Sequence, residues 1–197
     1  LSRLDLVAGP NGAGKTTFVT RILAPALPAS VFVNADEIAR QHWPGDESRH
    51  AYEAAELAAD TRDRIVELGL PLIAETVFSH PSKLELATRA AKAGYYVALH
   101  VLMVPQELSV LRVRARVAQG GHDVPEEKIR ARWHRLWPLV AEAAAAADRA
   151  TFYDNAGRNG PTQVALLSDG VVVGAPTWPS WAPAALAARW PGQPERA

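Results

Sequence analysis

The stretch Gly9-Pro10-Asn11-Gly12-Ala13-Gly14-Lys15-Thr16 constrains this chain more than any other feature. It fits G-x-x-x-x-G-K-[ST] without a gap. A short apolar run at 4–8 (LDLVA) precedes it, and Phe18, Val19, Ile22 and Leu23 recur at helical spacing after it. Strand, glycine loop and helix in that order make a phosphate cradle, because the loop turns its backbone N–H groups inward and the helix N-terminus adds the positive end of its dipole. Lys15 is expected to reach the β- and γ-phosphates and Thr16 to offer a hydroxyl to Mg²⁺. Gly9, Asn11, Gly12, Ala13, Gly14 and Thr17 complete the nucleotide contacts. ATP and Mg²⁺ are therefore the expected cofactors. The chain has no Asn-Lys-x-Asp guanine reader, which favours ATP over GTP, and it lacks the Ser-Gly-Gly-Gln signature and the Asp-Glu strand end of transporter ATPases.

The remaining pattern repeats strand and helix. Residues 31–33 and 71–76 read as short strands, 95–104 as a longer strand buried on both faces, 150–155 as a last strand and 163–173 as a hairpin. Helical patterns lie at 47–68, closed by Gly69, at 81–94, opened by Pro81, and at about 106–119 and 125–147. This alternation predicts an α/β fold of the phosphate-loop NTPase type, with three layers, a mostly parallel sheet, helices on both faces and a helical kinase lid. Ligands are expected at the carboxyl edge of the sheet. With 197 residues, 48% of them hydrophobic, the chain suits a single domain, 1–197, ending in a Pro/Trp-rich tail at about 174–197. Trp178, Trp181 and Trp190 of the tail are expected to pack on the body.

Lys+Arg and Asp+Glu both total 21, so the basic excess of a dedicated nucleic-acid binder is missing. Cysteine is absent, which removes disulfides, thiolate nucleophiles and thiolate metal sites. No apolar run approaches the ~20 residues that span a bilayer, and no leader pattern opens the sequence, so the expectation is a cytoplasmic protein without a membrane partner.

Basic charge is concentrated instead in RVRARVAQGGHDVPEEKIRARWHR, residues 112–135, which holds six arginines. Before Gly120-Gly121, Val110, Val113 and Val117 form an apolar stripe with Arg112 and Arg116 on the opposite side and Arg114 elsewhere. After Pro125, Ile129, Trp133, Leu136, Trp137 and Val140 face the core, Lys128, Arg132 and Arg135 share one flank, and Arg130 lies on the other. Two helices joined through paired glycines predict a lid at 112–135 that closes over a triphosphate, with Arg112 near the nucleotide and Arg116 and Arg132 neutralising the transferring phosphoryl. Two or three of the six are expected to belong to a solvated face beside Glu126, Glu127 and Glu142.

Residues 31–37, VFVNADE, set Asp36 just beyond the second strand. Its carboxylate suits a general base for an attacking hydroxyl, or a holder of a magnesium-bound water, while Asn34 or Asp36 as the cap of the next helix explains the same pattern. Glu75 follows Leu72-Ile73-Ala74, where an acid is costly to bury without a partner, and this points to a site near the metal. Thr76 and Ser79 are candidates to hydrogen-bond the acceptor, and Ser79 with His80 also fits a helix start before Pro81.

GPNGAGKTT, NADEIA, ETVFS and the arginine-rich run together resemble, over about residues 3–155, the zeta toxin family of phosphate-loop kinases. The resemblance implies a parallel sheet with a kinase lid and ATP-dependent phosphorylation of a small-molecule hydroxyl, best known for a sugar hydroxyl of UDP-N-acetylglucosamine. It implies that Lys15 and Thr16 bind ATP and Mg²⁺, that Asp36 is the general base, that Glu75 and Thr76 approach the acceptor, and that Arg116 and Arg132 contact phosphate. An antitoxin protein is the partner such a resemblance brings with it. Two other readings compete: a kinase of nucleic-acid ends, which the neutral charge disfavours, and an ATP-dependent switch without phosphoryl transfer, which Asp36 and Glu75 together disfavour.

Overall fold

The computed structural model describes residues 2–121 and 124–192, with the side chains of Ser82 and Lys83 left out. His122 and Asp123 of the expected lid turn and residues 193–197 of the expected tail lie outside the described residues. Among the described residues seven strands are formed: β1 (Arg3–Ala8), β2 (Val31–Val33), β3 (Leu72–Thr76), β4 (Tyr96–Met103), β5 (Arg149–Asp154), β6 (Thr162–Ser168) and β7 (Val171–Val172). They make one sheet in the order β2-β3-β1-β4-β5-β6-β7. The first five are parallel, and β6 and β7 add an antiparallel edge.

The helices are α1 (Lys15–Phe18), a π-helical turn (Val19–Leu23), α2 (Ala24–Ala26), α3 (Ala35–His42), α4 (Ala51–Glu67), α5 (Ser82–Lys92), α6 (Gln106–Ala118), α7 (Glu126–Ala146) and α8 (Ala184–Ala187). The first three run on as one element. Pro25 lacks the N–H that would bond the carbonyl of Arg21, and the helix widens just before it, with Ala24 N–H reaching Val19. Strand alternation feeds two layers. Leu4, Leu6 and Ala8 join Ala58, Ile65, Leu86, Ala90 and Leu136 of α4, α5 and α7 on one face, and Val7, Ile73 and Leu102 join Phe18, Val19 and Leu23 on the other. The sheet is thus covered on both faces, as the sequence predicts. Among the described residues no helix is long and apolar enough to cross a membrane.

One helix starts later than its sequence pattern suggests. The helical pattern from Glu47 gives way to turns until Ala51, because Pro44-Gly45 breaks the chain and the ring of Trp43 stacks on that of His50 at 4.7 Å. The glycines of the lid prove to be a helix stop. Gly120 at φ +83 bonds the Val117 carbonyl and Gly121 bonds that of Arg116, both at 2.9 Å, which is the paired closure of a Schellman motif. A Cβ on Gly121 would sit 2.9 Å from the Arg116 carbonyl oxygen, so no larger residue fits that closure. Val110, Val113 and Ile129 form a small core of their own between α6 and α7. Arg130 pairs with Glu107 and Glu126 and Arg114 pairs with Glu126, which locks the two helices together. At the far end Trp178 stacks edge-on against Phe152 at 5.3 Å and donates its indole N–H to the Trp190 carbonyl at 2.7 Å, fixing that part of the tail to the body.

Candidate active site

Strand register brings the chemistry to one edge. Ala8 pairs with Thr76 and Val33 with Ala74, so the glycine loop after β1, Asn34 after β2 and Glu75 near the end of β3 lie side by side. Gly14 is the N-cap of α1 at φ +85, and a Cβ there would meet the side-chain amide of Asn155 at 2.8 Å. That amide donates to the Ala13 carbonyl at 2.8 Å, and the Ser109 hydroxyl donates to the Asn11 carbonyl. Arg112 approaches the Gly12 carbonyl at 3.4 Å and that of Ala156 at 3.5 Å, consistent with its expected place beside the nucleotide loop. The loop is therefore braced from α6 and from the end of β5.

The Lys15 ammonium donates to the carbonyls of Gly9 and Pro10 at 3.0 and 3.1 Å. Burial pushes its pKa below the ordinary lysine value. The charges of Glu75 and Asp36 oppose that shift and those of Arg116 and Arg132 add to it. These residues come from five different elements, all within electrostatic reach of Lys15. No carboxylate forms an ion pair with Lys15 among the described residues, and an anion brought against it restores what burial removes.

Glu75 is the hub. Its Oε1 accepts from the Thr16 hydroxyl and from the Asn34 amide, each at 2.9 Å, while Oε2 is a buried acceptor with no hydrogen-bond partner among the described residues. Burial raises its pKa above the usual carboxylate value. Lys15 and the Thr16 and Asn34 hydrogen bonds counter that shift, and Asp36 adds to it. No group of three or more His, Cys, Asp or Glu able to hold a metal occurs among the described residues. The fit is instead to Mg²⁺, a hard cation that keeps its waters and is held by one or two protein oxygens together with phosphates. The Thr16 hydroxyl and the orphaned Glu75 oxygen are such donors.

The ambiguity at the start of α3 resolves in favour of Asn34. Its side-chain oxygen accepts the N–H groups of Asp36 at 2.8 Å and Glu37 at 3.3 Å, so Asn34 caps the helix and the Asp36 carboxylate is left exposed. Asp36 faces a cleft of ≈ 500 Å³ shared with Arg40, Glu47, Ser48, Arg116 and Gly121. A second cleft of ≈ 200 Å³ is lined by Glu75 and Thr76.

The sequence matches the zeta toxin family over residues 3–160. The chain belongs to the zeta toxin family. Its likeness to individual proteins is more distant. An uncharacterized protein of Haemophilus influenzae is 27% identical over 128 residues, covering 64% of this chain and 88% of that one. The structure of the PezAT toxin-antitoxin system of Streptococcus pneumoniae superposes with a TM-score of 0.64 at 20% identity, over 83% of this chain and 71% of that one. An AvrRxo1-ORF1:AvrRxo1-ORF2 structure with ATP gives 0.66 at 18% identity and 87% of this chain, which spans 60% of the length of that one. The fold is that of the phosphate-loop kinases.

Within this zeta toxin family member the expected residues divide into groups. Lys15, Thr16, Asp36, Glu75, Arg116 and Arg132 share one neighbourhood. Thr76 lines the smaller cleft, yet its hydroxyl already accepts the Phe78 N–H at 3.1 Å. Ser79 is half-buried beyond that turn and lines neither cleft, so the geometry does not bring it to the acceptor side. Thr17 is exposed, one residue along α1. Arg114 and Arg130 are spent on the lid's ion pairs. Ser109 and Asn155 were not expected. The only cue to them is their position at the start of a helix and the end of a strand that both reach the loop's edge.

Proposed function

We propose that this protein is an ATP-dependent kinase that transfers the γ-phosphoryl group to a hydroxyl of a small molecule, with a nucleotide sugar such as UDP-N-acetylglucosamine as the first acceptor to test. The observation that carries the reading is the meeting of Lys15, Thr16 and Glu75 at the sheet's carboxyl edge, with Asp36 released from capping by Asn34 and facing a cleft that Arg116 also lines. Lys15 and the loop amides hold the phosphates, and Thr16 and Glu75 would hold Mg²⁺, which would supply charge neutralisation for the phosphates. Asp36 takes the proton of the acceptor hydroxyl as its oxygen bonds to phosphorus and the bond to the ADP oxygen breaks. Arg116 and Arg132 balance the charge on the transferring group. Arg116 belongs to the larger cleft with Asp36, so base and cation flank the same space.

The PezAT and AvrRxo1 structures are a toxin-antitoxin system and a two-protein complex. By extension an inhibitory partner protein is proposed for this chain, together with a cytoplasmic setting where ATP is available. The test is a phosphorylation screen: purified protein, labelled ATP and Mg²⁺ against a metabolite extract and against UDP-N-acetylglucosamine. Label in a small-molecule product supports the kinase reading, and label in the nucleotide sugar supports the finer one. ATP bound but never consumed with any acceptor would remove both.

A further inference from the structure

The smaller cleft, between α4, α5 and the end of β3, carries charge that the phosphate chemistry does not use. Arg62, Asp63, Glu85 and Arg89 line it together with Glu75 and Thr76. Asp63 is taken by Arg89 through two hydrogen bonds of 2.6 and 2.9 Å. Arg62, the neighbour of Asp63 on α4, is half-buried and its guanidinium makes no hydrogen bond or ion pair with any described residue. Burial lowers its pKa from the ordinary guanidinium value, against the pull of Asp63. A half-buried guanidinium with no carboxylate at ion-pair distance keeps its donors open to an anion, and its planar fork matches a carboxylate or phosphate through two parallel bonds.

Glu75 of this cleft accepts from the Thr16 hydroxyl at 2.9 Å, so the cleft adjoins the phosphate loop. Glu85 supplies a hydrogen-bond acceptor suited to a hydroxyl. The volume, ≈ 200 Å³, is below the roughly 300–1,000 Å³ that encloses drug-sized ligands, so a compact molecule suits it better than a nucleotide sugar.

We infer that the acceptor is a compact hydroxylated anion, a hydroxy acid or a sugar phosphate, and that Arg62 binds its carboxylate or phosphate while its hydroxyl extends past Glu75 toward Asp36, which Asn34 ties to Glu75. This rests on the kinase reading and narrows its substrate class. Were Arg62 only packing its stem against the sheet, its removal would change stability and leave acceptor binding alone.

The experiment separates a metabolite extract on an anion exchanger at neutral pH and incubates each fraction with the enzyme, labelled ATP and Mg²⁺. Label is expected in the retained, anionic fractions. With the acceptor purified, Arg62→Ala should raise its KM about 10- to 100-fold, the loss expected for charge-assisted hydrogen bonds, with kcat changed far less. Arg62→Lys should recover part of that loss, and thermal stabilisation by ATP should match wild type. Label confined to the unretained fraction overturns the anionic assignment and leaves the kinase reading standing. An anionic acceptor whose KM is unchanged in Arg62→Ala overturns the role of Arg62. No label in any fraction overturns the kinase reading and this inference with it.

Discussion

Asn34 joins helix capping to the acid at the centre of the site, and its substitution separates the two. The side-chain oxygen accepts from Asp36 N–H at 2.8 Å, and the amide donates to Glu75 Oε1 at 2.9 Å. Aspartate caps a helix as well as asparagine, so Asn34→Asp keeps the cap but sets a second carboxylate against Glu75. The repulsion is bounded, because one of the pair can take up a proton instead. Protonating a carboxyl of ordinary pKa ~4.3 at pH 7 costs about 3.7 kcal/mol. Burial has already raised Glu75, so part of that cost is present in wild type, and the expected loss at pH 7 is about 2–4 kcal/mol. At ~2–4 °C per kcal/mol for a chain of this size, Tm falls by about 4–16 °C. The sign of the pH term follows from linkage. The folded variant holds the shared proton more tightly than the unfolded chain, so its deficit shrinks as pH falls from 7 toward the ordinary carboxylate range. Asn34→Ala loses the cap, worth about 1 kcal/mol, and the hydrogen bond to Glu75, without the added carboxylate, so its deficit changes much less with pH. Urea unfolding of the three proteins at pH 5 and pH 7.5 reads this out. An Asn34→Asp protein as stable as wild type at both pH values would refute the Asn34–Glu75 contact and the β2–β3 register that creates it.

Lys15→Ala should abolish the thermal stabilisation given by ATP and Mg²⁺, and a stabilisation equal to wild type would contradict phosphate binding by Lys15. Arg116→Ala and Arg132→Ala should lower kcat more than ATP affinity. Arg114→Ala and Arg130→Ala, which break the ion pairs between α6 and α7, should lower lid stability with a milder effect on turnover, and steady-state kinetics showing the reverse order would contradict the assignment. Asp5 is fully buried and bonds His100 at 2.9 Å and Arg3 at 2.7 Å. Burial alone would raise its pKa, yet the hydrogen bonds from His100 and Arg3 outweigh it and hold the carboxyl below the usual range. Its stabilisation is then complete above the unfolded value, ~3.9, and is lost as pH falls through the depressed folded value. Asp5→Asn should cost about 3–5 kcal/mol at pH 7 and flatten the acid limb of the stability curve, and an unchanged limb in urea titrations would contradict this.

The phosphate loop was legible because its function needs contiguous residues, and the alternation of strand and helix because period and turn residues are local. What escaped reading depends on residues far apart in the chain. Asp5 sits in the run LDLVA as if part of an apolar strand, and only the parallel pairing of β1 with β4 brings His100 to it. Asn34 and Glu75 are 41 residues apart and meet through the register of β2 and β3, so Asn34 could be read as a cap but not as a partner of the acid. The arginine run gave the lid helices and their apolar stripe. It set two or three of the arginines beside Glu126, with which Arg114 and Arg130 pair, but not Arg130 beside Glu107, which precedes the run by a helical turn and reaches α7 only through packing. Gly120-Gly121 read as the joint between the lid helices, and the backbone geometry they permit, which sequence alone does not give, closes α6. Arg62 had no signal at all within an alanine-rich helix. Its interest comes from a cleft made by α4, α5 and β3 together.

The central claim, that Asp36 deprotonates an acceptor hydroxyl beside a phosphate site built by Lys15 and Glu75, is tested most directly by Asp36→Asn in a single-turnover assay with ATP, Mg²⁺ and a phosphorylated acceptor found in the screen. The account predicts ATP affinity close to wild type and a transfer rate lower by roughly 10²–10⁴, the usual loss when a general base is removed. A transfer rate equal to wild type at the same nucleotide occupancy would contradict it.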